Sequence, residues 1–189
     1  MDLNEKIISG LERISEVYKS LLWDKAKVYG ISPIQIQILI FVANHRLELS
    51  NVSYLAMEFG VTKPTISDAV RVLLKKELLV KDFSPTDNRR YNLLLAEAGK
   101  KLFEELMDYT APVSKELSEL NEAERSSFFQ TLTKLIYGLN QAGILQVQRT
   151  CFGCRFYQGD QRGEHYCKLL EKRLQNVDLR LDCPDYSTK

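Results

Sequence analysis

Apolar residues recur at steps of three and four along most of the chain, and the places where that period breaks mark its elements. Leu3, Ile7, Leu11, Ile14, Tyr18 and Leu21 form one stripe, which predicts a helix over residues 3–22. Nothing close in sequence covers that stripe, so it is expected to pack on a second subunit, with packing on its own chain as the alternative. Ser32 and Pro33 supply a helix start, a capping hydroxyl followed by a proline in the first turn. Ile34, Ile38, Phe41 and Val42 then crowd the next helix, which predicts a central position. Two short helices follow, over 52–59 and 63–77, separated by Gly60 as a turn. In the second, Ile66, Ala69, Val70, Leu73 and Leu74 keep the apolar spacing. Lys63, Thr65, Ser67, Asp68 and Arg71 occupy the other face, and Pro64 sits in the first turn. Helix, glycine turn and helix is a helix-turn-helix layout.

The period then changes. Residues 78–83 and 91–95 read as strands, and the turn formers between them at 84–90 predict a hairpin with Arg89 and Arg90 at or near its tip. A hairpin directly after the second helix is a wing. Helical spacing returns after Gly99 with Leu102, Phe103, Leu106 and Tyr109, and Pro112 ends or kinks that helix. A last helix covers about 121–141. The organisation expected is a terminal pairing helix over 1–30, a winged unit over 31–99, further pairing helices over 100–148 and a separate segment over 149–189. His45 is expected in an exposed loop, and Trp23 after the first helix as a packing residue.

The chain has 189 residues, 44% hydrophobic and 27% charged, with a formal net charge of +1. That is ordinary globular composition, with room for a sizeable core. No apolar run approaches the roughly 20 residues of a bilayer span. The amphipathic, acid-containing N-terminus does not resemble a secretory signal, so no membrane partner and a cytoplasmic location are expected. The near-zero charge confines any nucleic-acid contact to a local patch. No phosphate loop, nucleophile elbow or His-Glu-x-x-His appears, and two histidines leave little for acid–base work, so an enzyme is not expected.

The run LAMEFGVTKPTISDAVRVLLKKELLV, followed by DNRRYNLLLAEAGKKL, resembles the winged helix-turn-helix transcription regulators of the MarR type. Asp87, Arg89 and Gly99 strengthen the likeness, which covers roughly residues 1–145. Ala96 departs from the family's capping threonine, and Leu78 from its glycine before the first wing strand. The resemblance implies a mainly α fold with a small β-hairpin wing and long terminal helices that pair two copies. It implies a homodimer that binds double-stranded DNA at pseudo-palindromic sites, as a repressor, under an unidentified small-molecule effector. The recognition residues would be Lys63, Pro64, Thr65, Ser67, Asp68 and Arg71, with short polar and basic groups suited to base edges in the major groove. Arg89 and Arg90 suit phosphates or a narrow minor groove. Asp87, by the resemblance, pairs with Arg89 and holds the wing tip.

The four cysteines lie outside that likeness, spaced Cys151-x2-Cys154-x12-Cys167-x15-Cys183. Two ligands two residues apart can share one metal, and two more complete a tetrahedron. Four thiolates are the usual set for structural zinc and also suit an iron–sulfur cluster. Spacing does not separate these readings. Reversible disulfides, free buried cysteines and a thiol-redox enzyme using Cys151 and Cys154 remain beside them. His165 stands two residues before Cys167, as a substitute ligand or a hydrogen-bonding neighbour. A metal staple would suit a segment too short for a core of its own. The alternative to a ligand-controlled regulator is a redox, iron or zinc sensor whose main input is this segment.

Overall fold

The computed structural model describes residues 2–84, 87–159 and 164–188, with the backbone alone for residues 84 and 87–89. The chain divides into two compact units, Met1–Lys115 and Glu116–Lys189.

The first unit opens with α1 (Leu3–Tyr29), capped by a reciprocal Asp2–Glu5 box. The helix runs seven residues beyond the expected end, because only the left-handed Gly30 (φ +60°) stops it. Trp23 therefore lies on α1 and is exposed, not packed after it. Residues 2–20 of this unit are all exposed, with Leu3 at 71% and Ile14 at 51%. Only Leu22 and Ala26 of α1 are buried, and Lys25 bridges Asp108 at 2.6 Å.

At Gly30 the chain turns by 94° into α2 (Pro33–Asn44). No single described helix is long and apolar enough to cross a membrane. α2 is the core helix, as its dense apolar pattern predicts. Ile36, Ile38 and Leu39 are fully buried, and the helix packs against α1, the helices Lys63–Lys75 and Glu97–Leu106 and the strand Asp87–Leu95. The expectation for His45 needs correcting. It caps α2 half-buried, its ring stacked on Phe41 at 3.9 Å and its Nδ1 2.9 Å from the Phe41 carbonyl oxygen.

After a 3₁₀ turn come α3 (Val52–Glu58) and α4 (Lys63–Lys75), joined through Gly60 at φ +62°. The chain leaves α4 through Glu77, whose φ of +56° lies where glycine is favoured. The strain thus falls one residue before Leu78. Glu77→Gly is expected to raise the stability of this unit by about 1 kcal/mol. A higher urea midpoint at unchanged slope would show it, and an unchanged midpoint would refute it.

Strands β1 (Leu79–Ser84) and β2 (Asp87–Leu95) pair antiparallel, Leu79 opposite Leu95 and Phe83 opposite Tyr91. The loop expected over 84–90 is therefore mostly strand, and the register shifts between Phe83 and Ser84. Arg90 sits on β2, close to the turn. α5 (Glu97–Leu106) follows from Ala96, which gives its helix no side-chain cap. Pro112 falls in the first turn of α6 (Ala111–Glu119), where its missing N–H costs nothing.

The second unit holds α7 (Glu122–Gln141), started by an Asn121–Glu124 capping box. Phe128, Leu135 and Leu139 of α7 are exposed. A small sheet follows, β3 (Tyr157–Gly159), β4 (His165–Cys167) and β5 (Lys172–Leu174), antiparallel in that order. Tyr137 of α7 meets Phe152 edge-on at 5.5 Å, and the 3₁₀ turn Asn176–Asp178 also packs on α7. The last helix and the cysteine segment thus fold as one compact unit.

Candidate nucleic-acid interface and cysteine site

α4 owes its start to Thr62, whose hydroxyl oxygen accepts the Thr65 N–H at 3.4 Å and lies 2.8 Å from the Thr65 hydroxyl. Pro64 occupies the first turn. One side of the helix buries Ile66, Ala69, Val70 and Leu73, which anchors it on the core. That burial leaves Lys63, Pro64, Thr65, Asp68 and Arg71 exposed together on the other side, with Ser67 half-buried at its edge. Arg71 donates to Asp68 at 2.6 Å, with both side chains mostly exposed. A surface pair of this kind contributes little and opens readily to a competing anion.

Ser67 also lines an open cleft of ≈ 680 Å³ with Asn51, Val52, Ser53, Arg90, Tyr91 and Asn92. The cleft joins α4 to the base of the wing. Asn51 is placed there as the N-cap of α3, accepting the Tyr54 N–H at 3.0 Å. The Leu93 N–H donates to the Ser50 carbonyl at 2.7 Å, which ties β2 to the start of α3. Asn51, Ser53 and Asn92 are cleft residues that sequence reading missed. No local pattern marks them, because 40 residues separate the two edges of the cleft. On the wing, the Lys81 ammonium stands 4.2 Å from the Tyr91 ring centre, an arrangement that favours a cation. Asp87 and Arg89 lie on β2, but their side chains fall outside the described residues, as do Pro85 and Thr86.

In the second unit Cys151, Cys154, Cys167 and Cys183 all line one cavity of ≈ 30 Å³ with Phe156, Tyr157 and Leu174. Cys151 and Cys154 bracket a 3₁₀ turn closed by the Cys154 N–H to the Cys151 carbonyl at 3.0 Å. Cys167 ends β4, opposite Tyr157 on β3. The final segment wraps back over this turn. The Cys151 N–H donates to the Arg180 carbonyl at 3.1 Å, and the Cys183 N–H to the Arg149 carbonyl at 3.0 Å. Buried Arg149 donates through Nε to Asp182, which locks the two ends of the segment beside Cys151 and Cys183. The Tyr186 hydroxyl donates to the Gly153 carbonyl at 3.2 Å.

None of the four cysteines is joined in a disulfide. Among the described residues, no three His, Cys, Asp or Glu are grouped so as to hold a metal ion. Burial pushes the Cys151 thiol above its ordinary range, opposed by the Arg180 backbone N–H at 3.3 Å from its sulfur. A raised thiol is a poor nucleophile at neutral pH. His165 does not line the cavity. Its Nε2 donates to Asn176 Oδ1 at 2.8 Å, and its Nδ1 accepts from the Tyr157 hydroxyl at 2.6 Å. Both ring nitrogens are thereby engaged, which makes His165 a packing and hydrogen-bonding residue.

Residues 29–90, spanning the core helix, α3, α4 and most of the wing, match the model of the MarR family. That stretch of the chain is similar to the MarR family. Several solved MarR-type structures align with it. MepR of S. aureus in complex with DNA aligns at 28% identity and a TM-score of 0.59, over 69% of this chain and 97% of that one. A MarR transcriptional regulator from Methanosarcina mazei Go1 shares the fold at 22% identity and a TM-score of 0.59, over 75% and 99%. S. aureus MarR in complex with salicylate and kanamycin shares it at 20% identity and a TM-score of 0.57, over 75% and 90%. A quarter or more of this chain lies beyond each of these alignments. A search of curated protein sequences finds no match. The fold is the winged helix of MarR-type regulators, mainly α with one β-hairpin wing.

Proposed function

We propose that this chain is a homodimeric transcription regulator, acting in the cytoplasm as a repressor on a pseudo-palindromic, double-stranded operator. One observation carries the reading. α4 presents Lys63, Thr65, Asp68 and Arg71 on the side opposite its buried anchor, and the wing flanks it across the cleft of Asn51, Ser53 and Asn92. A helix of this width and polarity fits the major groove, and the wing strand bearing Arg90 reaches the adjoining backbone. The MepR complex with DNA supports the same use of the fold. Two copies pair through the bare apolar stripe of α1 and the exposed side of α7. A small-molecule effector acts by binding one spacing of the two wings better than the other.

The test starts from a duplex selected out of a randomised library by the full-length protein. Arg71→Ala is expected to cost about 1–3 kcal/mol on the selected site and to relax one base position. Lys63→Ala is expected to weaken selected and random duplexes alike and to lower the salt slope by about 1. If no sequence is enriched, or if both variants bind as the parent does, the reading is wrong.

A second reading concerns the cysteine segment. The convergence of four thiols on one cavity favours a metal-holding site there, zinc or an iron–sulfur cluster, and makes a metal or redox sensor the runner-up for the signal.

A further inference from the structure

We infer that the cysteine cavity takes a single metal ion and that Phe152 passes the state of this site to α7. This rests on the reading above that the four cysteines hold a metal. The space that all four thiols border measures ≈ 30 Å³, about what one water or one ion occupies. Phe156, Tyr157 and Leu174 give it apolar walls. Its two carboxylates have cationic neighbours, Asp178 the Lys172 ammonium at 3.8 Å and Asp185 the Arg180 guanidinium at 3.8 Å. The donors left are four soft sulfurs, the set that zinc takes in closed tetrahedral sites. Four thiolates around a divalent ion carry surplus negative charge. Arg180 offsets part of it, its backbone N–H donating to Cys151 Sγ at 3.3 Å and its guanidinium to Cys183 Sγ at 3.7 Å. Binding releases the thiol protons to solvent.

The same turn touches α7. Phe152 stands between Cys151 and Cys154 in their 3₁₀ turn, so its ring goes where the turn goes. That ring meets Tyr137 of α7 edge-on at 5.5 Å and Tyr157, which lines the cavity, at 5.4 Å. With buried Leu179, next to Arg180, it also lines a pocket against Phe129, Gln130 and Thr133 of α7. At about 100° per residue, these three and Tyr137 share one side of the helix, and exposed Phe128, Leu135 and Leu139 share the opposite one. Among the described residues no three ligating side chains are grouped for an ion, so the thiolates close in as they bind it and the turn bearing Phe152 moves with them. The segment over 149–189 is too short for a core of its own, so metal binding supplies the free energy that orders it. A helix keeps its shape in water chiefly through packing of an apolar side. Loss of the ion therefore loosens the inner side of α7, whose outer side pairs two copies in the function proposed above.

The full-length protein is purified without oxygen and titrated in parallel with Zn(II), Co(II) and Fe(II) plus sulfide. Metal and labile sulfide per chain are counted. Hydrogen exchange of the backbone amides is followed with the metal in place and after a chelator. The expected result is one zinc or one cobalt per chain, the cobalt with the visible bands of a tetrahedral thiolate site. Chelation should speed exchange in α7 and around the four cysteines by about tenfold or more and leave α4 unchanged. Phe152→Ala should still hold one zinc per chain, while α7 exchanges fast with and without it. Phe152→Leu, which keeps a large apolar side chain there, should restore much of the protection. Cys167→Ser should hold no zinc. Iron with stoichiometric sulfide that zinc does not displace overturns the single ion and leaves a metal site standing. A chain that binds none of the three overturns this inference and the metal reading together. One zinc per chain with α7 exchange indifferent to chelation overturns the coupling, as does a Phe152→Ala chain whose α7 still answers to zinc.

Discussion

Leu11→Glu combined with Ile14→Glu is expected to convert a dimer into a monomer and to abolish tight operator binding. Residues 2–20 are exposed along α1, and Leu3, Ile7, Leu11, Ile14 and Tyr18 line up on one stripe. A helix of this length holds its shape in water chiefly by burying such a stripe. Each large apolar side chain covered at an interface contributes about 2 kcal/mol. Four substituted side chains per dimer therefore raise the dissociation constant by about six decades, before the cost of burying carboxylates. Operator affinity falls with it, because a monomer engages one half-site and loses the linkage between two. Sedimentation of the double variant against Leu11→Met with Ile14→Val, which keeps the stripe apolar, measures the first effect. A double variant that stays dimeric and binds its duplex would show that α1 plays no part in pairing.

The second large effect is expected from one methyl group. A Cβ added at Gly99 would lie 2.0 Å from the Leu78 carbonyl oxygen and 3.0 Å from its carbon. The obstacle is backbone, so no side chain can swing aside. That same carbonyl accepts the Ala96 N–H at 3.1 Å, which fixes the start of α5 against the first wing strand. Gly99→Ala must part these segments, at a cost of about 3 kcal/mol or more. Thermal unfolding of this unit should move down by about 10–20 °C. Gly138→Ala is the matched control, an exposed helical glycine whose added Cβ meets nothing within 4 Å. It should stabilise by about 0.5–1 kcal/mol. Equal melting of the two variants would show that the close approach at Gly99 carries no strain. The glycine after the second strand, noted in the sequence as part of the family likeness, thus has a steric reason.

The helices were legible because burial of one face imposes a period that the chain carries openly. Ile66, Ala69, Val70 and Leu73 identify both α4 and its buried side, and the polar residues left over become the candidate reading face. Boundaries were less legible where no stop signal precedes the true end. α1 continues through Trp23 to Tyr29, since nothing before Gly30 forbids it. The wing strand is longer than its turn-rich sequence suggests: Asp87 already pairs with Ser84, and residues 88–90 are taken up at the register shift before Tyr91 meets Phe83. His45 reads as surface until Phe41, one helical turn earlier, offers its ring.

For the cysteines the division is sharper. Their number, their clustering after residue 150 and the Cys-x2-Cys pair are plain in the sequence, and they restrict the chemistry to metal or redox. His165 stood as a possible ligand until the fold gave both of its nitrogens to Tyr157 and Asn176. Arg180 carried no signal at all, yet the turn of the final segment brings its backbone and guanidinium against two sulfurs. Periodicity, charge and residue type are properties of the chain and survive without a fold. They establish a winged helix-turn-helix with a basic and polar reading face, an apolar stripe in need of a partner and a four-thiol segment. Distances between residues far apart in sequence exist only once the chain closes on itself. The cleft between Asn51 and Asn92, the Leu78–Gly99 approach, the joining of α7 to the cysteine segment and the spacing of four sulfurs around one cavity were therefore decided by packing alone.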